Sequence, residues 1–176
     1  MIKPVMKRLV TAIIFFVIFL LFCDHMIYTI KTERLSDYTE SNWRESLPRS
    51  TVVTLLGSEK KRGFSILYYA LATSEGTQLK VLTYEKSPLS QAYRLLDTVD
   101  LTLKPGDTIN KSFLVRRFGH KMLVLYGYQS PYNIQVMRNR QVSAFYETAE
   151  QPYYLIILDD IEQMYFYYEA KVAKDE

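Results

Sequence analysis

"FSILYYALATSEGTQLKVLTYE", Phe64 to Glu85, decides the fold class. Two runs rich in aromatic, aliphatic and β-branched residues flank Ser74, Glu75 and Gly76, a turn-forming cluster. Because side chains alternate along a strand, Leu79, Val81 and Thr83 are set to face one way and Lys80, Leu82 and Tyr84 the other. Upstream, "TVVTLL" (51–56) reads as a strand that passes through a charged turn, "GSEKKRG" (57–63), into this region.

The same punctuation continues downstream. "SPLSQA" (87–92) is a loop, "YRLLDTVDLTL" (93–103) an extended strand and "KPGDTINK" (104–111) a Pro-Gly turn. "SFLVRRFGHKMLVLYGYQ" (112–129) places strand formers on both sides of a glycine-bearing turn, which predicts a hairpin. "IQVMRN" (134–139) and "VSAFYE" (142–147) predict a second hairpin around "RNRQ". "YYLIILDD" (153–160) is apolar on both faces, as a strand in the middle of a sandwich would be. "QMYFYYEAKV" (163–172) reads as a final strand because of its aromatic density.

About eight or nine such strands, without strand and helix alternation, predict a mainly β domain over 51–176. The expected architecture is an antiparallel β-sandwich of immunoglobulin-like type, with a barrel as the alternative. The 15 tyrosines and 9 phenylalanines suit pleated surfaces, and 176 residues suffice for one packed domain plus a terminal segment.

That terminal segment is "LVTAIIFFVIFLLFCDH", Leu9 to His25. Lys3, Lys7 and Arg8 precede it, as in a secretory signal, yet no close pair of small residues follows Phe22 where a peptidase would cut. A lipoprotein signal wants a small residue before its cysteine, and Phe22 stands before Cys23. An uncleaved transmembrane helix over 9–30 is the remaining reading. Asp24 would cost at most about 3 kcal/mol inside the span, less than the aliphatic and aromatic run returns. Asp24 and His25 are expected at the outer interface, with Tyr28 at head-group level. The basic start (1–8) then lies in the cytoplasm and the β domain outside, in a single-pass cell-membrane protein. Residues 31–50 form a polar stalk or a short amphipathic helix ended by Pro48.

Three of the 22 basic residues lie ahead of the apolar run, which leaves 19 against 19 acidic ones. The domain therefore lacks the electrostatic footprint of a nucleic-acid binder. Cys23 is the lone cysteine, so no intrachain disulfide forms. Two histidines, His25 and His120, are too few for a histidine-rich zinc site, and no G-x-S-x-G, P-loop or dinucleotide motif occurs. No cofactor is expected, and no motif identifies a known family.

Three constellations remain. Asp159, Asp160 and Glu162 cluster after an apolar strand, but acidic turns are ordinarily just solvated, and no metal site is assigned. Arg117, His120 and Lys121 gather at a hairpin turn and form the candidate anion-binding group, with Arg116 expected on the opposite sheet face from Arg117. Tyr165 and Tyr167 share one strand face and form the candidate partner-binding surface, whereas Tyr126, Tyr128 and Tyr132 read mainly as packing. The resulting expectation is a membrane-anchored binding or accessory module whose partner is an envelope protein. A carboxylate-dependent hydrolase acting through Asp159, Asp160 or Glu169 and a structural tether without ligand are the alternatives.

Overall fold

The computed structural model describes residues 4–117, 120–138, 141–149, 151–159, 161 and 166–172. The chain is mainly β, with curled antiparallel sheets and one N-terminal apolar helix. Helix α1 (Pro4–Ile27) leads into a two-residue strand β1 (Ile30–Lys31) and helix α2 (Leu35–Ser46). The strands that follow are β2 (Val52–Lys61), β3 (Phe64–Thr73), β4 (Gly76–Lys86), β5 (Ala92–Leu103) and β6 (Ile109–Arg117). The remainder are β7 (His120–Tyr128), β8 (Tyr132–Arg138), β9 (Gln141–Tyr146), β10 (Tyr153–Leu158) and β11 (Phe166–Val172). They form sheets of order β1-β5-β4-β3-β2, β10-β7-β6 and β11-β8-β9.

Two compact units share the chain. Unit 1 comprises Met1–Arg49, Lys60–Ile66 and Leu82–Val99, and unit 2 comprises Ser50–Glu59, Leu67–Val81 and Asp100–Glu176.

In unit 1, α1 carries its apolar side chains outward: Phe15 is 69% exposed, and Met6–Ile27 is long and apolar enough to cross a membrane. The helix stops at Ile27 rather than running to Ile30, with the Tyr28 amide closing the last turn on the Asp24 carbonyl at 2.8 Å. Ile30 then pairs with Tyr93 and Lys31 with Ala92, because a buried Ile30 is better placed in a sheet than in another helical turn. Helix α2 buries Leu35 and Thr39 and leaves its charges to solvent.

The charged stretch expected as a turn is largely strand. β2 continues to Lys61, and the reversal is confined to Arg62 and Gly63, with φ of 49° and 80°. Two consecutive positive φ values are the requirement of a tight type I′ hairpin, which matches strand twist better than a long loop. Residues 58–61 are exposed while the backbone stays extended.

Along β4 the expected alternation holds at Leu79 and Val81, with Lys80 half-buried and paired to Asp100 at 2.9 Å. It is lost from Leu82 to Glu85, where consecutive residues are buried on both faces. Helix α2 supplies the cover for Tyr84, whose hydroxyl lies 2.8 Å from that of Thr39.

In unit 2 both predicted hairpins form. Ile109 to Arg117 pairs with His120 to Tyr128 in continuous register, and β8 pairs with β9 with a register shift between Val136 and Met137. Leu125, Ile134, Val136, Tyr154, Ile156 and Leu158 make one buried cluster, drawn from β7, β8 and β10. β10 stands at the end of its three-stranded sheet instead of in the middle, and its double-sided apolarity is met by burial of Ile156, Ile157 and Leu158. The Pro-Gly turn closes with the Asp107 amide on the Lys104 carbonyl at 3.0 Å, while Gly106 takes φ 85°.

Candidate functional site

A densely bonded polar group of unit 1 lies where α1 meets the β4–β5 loop. Asp24, expected to reach the membrane surface, is 8% exposed. The Ser87 hydroxyl donates to its Oδ1, and the Ser90 hydroxyl donates to its Oδ2 at 2.8 Å. Ser87 Oγ in turn accepts the Leu89 and Ser90 amides, each at 2.9 Å, and the Ser87 amide closes the loop on the Ala92 carbonyl at 2.8 Å. A carboxylate bonded by two hydroxyls, one of them fixed by two amides, is a charge held in place. The serine protons point at Asp24, which stabilises that charge rather than activating a nucleophile.

A second layer sits beside it. Glu85 is buried and pairs with Nε of Arg94, whose guanidinium carbon lies 5.4 Å from the centre of the Tyr28 ring. A cation on an aromatic face and on a carboxylate satisfies two neighbours at once. Tyr28 is therefore buried against Arg94. Burial pushes the Tyr84 phenol above its ordinary range, the bond to Thr39 lowers it in part, and Tyr38 raises it again.

A cleft of about 500 Å³ opens at this junction. Its lining includes Leu21, Asp24, His25, Lys31, Glu33 and Ser90, so both signs of charge meet an apolar helix face.

Unit 2 carries a group of buried phenols. Tyr68 and Tyr126 meet edge to face at 5.7 Å and 69°, Phe113 meets Tyr126 at 6.0 Å and 63°, and the Tyr68 hydroxyl donates to the Gly127 carbonyl at 3.2 Å. The Tyr154 hydroxyl donates to Oδ1 of Asn110. Burial raises the Tyr68 phenol strongly, helped by Tyr126, Tyr154 and Tyr128, and burial raises Tyr126 as well. Tyr126 is thus a packing residue, Tyr128 is half-buried and Tyr132 is exposed.

The anion-binding candidates fall at the end of the β6–β7 hairpin. Arg117 stands across from His120, and Arg116 across from Lys121, so Lys121 shares its register position with Arg116 and not with Arg117. Of the aromatic pair, Tyr165 lies outside the described residues, and Tyr167 pairs across from Met137. Asp160 and Glu162 also lie outside them, Asp159 is half-buried after β10, and Glu169 pairs across from Gln135. Among the described residues no group of three His, Cys, Asp or Glu side chains is placed to hold a metal ion.

Sequence reasoning missed the Asp24, Ser87 and Ser90 cluster. The signal was present in one half only: a carboxylate in an apolar run needs a partner, but nothing local marks serines 63 and 66 residues away. Comparison with protein-family models, with curated proteins and with solved structures finds no match to this chain.

Proposed function

We propose that this chain is a single-pass membrane protein that holds a β domain at the outer face of the cell membrane, where the domain binds another envelope protein. The observation that carries the reading is the clasp on Asp24. Two serines of the β4–β5 loop bond to the last turn of the apolar helix, and Ile30 pairs with β5 three residues after it ends. A helix end used this way is part of the folded unit, which argues for retention of the anchor over its removal.

The packing of β7, β8 and β10 side chains into one cluster supports a sandwich over a barrel. A surface for a partner is offered by the β11-β8-β9 sheet. Its end strand, β9, exposes Val142 at 55% and Phe145 at 52%, and large apolar side chains presented by an end strand favour protein contact. Binding fits this arrangement better than catalysis, since the Ser87 and Ser90 hydroxyls are engaged in holding Asp24 of the helix.

The test combines topology with capture. A C-terminal tag on the full-length protein should resist protease in sealed cytoplasm-out vesicles and be cut in the opposite orientation. Crosslinking in native membranes should then capture one abundant partner that is lost with Phe145→Asp or Tyr167→Ala. A tag cut only in cytoplasm-out vesicles rejects the orientation, and a partner retained by both variants rejects the surface.

A further inference from the structure

We infer that the Ser87–Ser90 loop is a second membrane contact, inserted into the head-group and upper acyl region of the bilayer beside α1, with Leu89 as its apolar tip. The inference rests on the anchor reading above and adds to it a surface that touches lipid.

The length of the helix is the first reason. Leu9 to Phe22 spans only about 21 Å, whereas a hydrocarbon core is about 30 Å thick. The full run Met6–Ile27, 22 residues, spans about 33 Å and matches the core. Matching therefore draws Asp24 and Ile27 down to the level of the outer boundary, and whatever is bonded to Asp24 goes with them. The loop is bonded to Asp24 through two serines, and Ser90 and Gln91 line the cleft together with Leu21, a full turn deeper in the apolar run.

The loop's own chemistry is the second reason. Backbone that enters a membrane must have its polar groups satisfied from within. Here the Leu89 and Ser90 amides bond to Ser87 Oγ, the Ala92 amide to Ser90 Oγ at 3.3 Å, and both hydroxyl protons go to Asp24. Pro88 has no amide proton to satisfy. These amides and hydroxyls thus bond inward, while Leu89 is 53% exposed, as are Leu21 at 52% and Phe22 at 60% on the helix. An exposed leucine on a loop whose amides and hydroxyls are bonded within it, and which is itself bonded to an apolar helix, suits a lipid surface. The arrangement also explains how Asp24 is tolerated at the membrane boundary: the loop supplies its donors.

Depth-dependent fluorescence quenching tests this with the full chain in phosphatidylcholine nanodiscs. Trp43 is the lone tryptophan, so a Trp43→Phe background lets one reporter be read at a time. In that background Leu89→Trp should lose at least half its emission with lipids brominated near the head-group end of the acyl chains, and less with lipids brominated near the chain ends. Phe15→Trp, in the middle of the helix, should show the reverse order. If Phe15→Trp is quenched and Leu89→Trp is not, the loop stands clear of the bilayer and the inference is overturned while the anchor stands. If neither is quenched, the anchor reading fails and the loop contact fails with it.

Discussion

Unit 1 and unit 2 stabilise their interiors by different means. Unit 1 buries charge, Asp24 under two serines and Glu85 against Arg94, whereas unit 2 buries tyrosine rings that meet edge to face and bond to neutral acceptors. Charged pairs depend on every partner being present, because a lone buried ion is costly. Aromatic packing depends on volume, because a close-packed interior has nowhere to put extra atoms. Loss of a partner should therefore damage unit 1 most, and gain of an atom should damage unit 2 most.

Gly127→Ala gives that contrast its largest expected effect. A Cβ there would overlap the Tyr154 ring and lie 2.8 Å from the Ile109 carbonyl, so ring and strand must both move. The cost is expected at about 3 kcal/mol by chemical unfolding of the detergent-solubilised chain. Amide exchange should accelerate first in β7 and β10. A variant as stable as the parent would show that the unit 2 interior is loose, and the contrast would fail.

Arg94→Ala comes next, at about 2 kcal/mol, because it removes the cation from the buried Glu85 carboxylate and from the Tyr28 ring. The value sits below that of a fully buried pair since the Arg94 side chain is 41% exposed and water can take its place. Exchange should accelerate in β1 and the last turn of α1. Arg94→Lys should recover less than half of the loss, because an ammonium cannot reproduce the planar guanidinium. Full recovery by lysine would reduce the site to simple charge.

Ser87→Ala should cost about 1.5 kcal/mol, having lost a bond to a carboxylate and the acceptor of two loop amides. An unchanged midpoint would mean that the clasp adds nothing to stability.

The smallest effect is read by pH, with raised phenols in both units: Tyr84 in unit 1, Tyr68 and Tyr126 in unit 2. The Tyr68 and Tyr126 phenols are raised by burial in the folded chain, whereas tyrosines in the unfolded chain ionise near their ordinary value of about 10. The folded state therefore binds more protons in alkali, so stability is full below about pH 10 and falls as pH rises past it. Tyr68→Phe, about 1 kcal/mol less stable at neutral pH from its lost bond to Gly127, should show a shallower alkaline decline. An identical decline in parent and variant would assign it to other groups.

The legibility of the fold follows the same division. Hairpins in unit 2 could be read because their signals are local: strand formers around short turns at 112–129 and 134–147. The charged residues 57–61 misled because polarity marks exposure, and an exposed strand is as polar as a turn. Backbone handedness settled that reversal, and only Arg62 and Gly63 carry it. β4 looked alternating because its burial from Leu82 to Glu85 depends on cover from outside the strand, and the partner of Tyr84 is Thr39, 45 residues earlier. The site was less legible than the fold. Asp24 was visible as an anomaly in the apolar run, but its donors come from a loop whose sequence, Ser-Pro-Leu-Ser, resembles any other surface loop.

Only Tyr28 and Thr29 separate the last residue of α1 from the first paired residue of β1. With Tyr28 pinned under Arg94 and Asp24 pinned under the serines, this junction has no swivel. Each residue of an α-helix turns about 100° around its axis. Inserting one alanine at the middle of α1 would therefore change the heading of the loop and strand clasped to its end by roughly that angle, relative to the N-terminal half of the helix. The helix is a keyed shaft, and azimuth, as much as position along its axis, is a property it hands to the β1–β5 pair at its end.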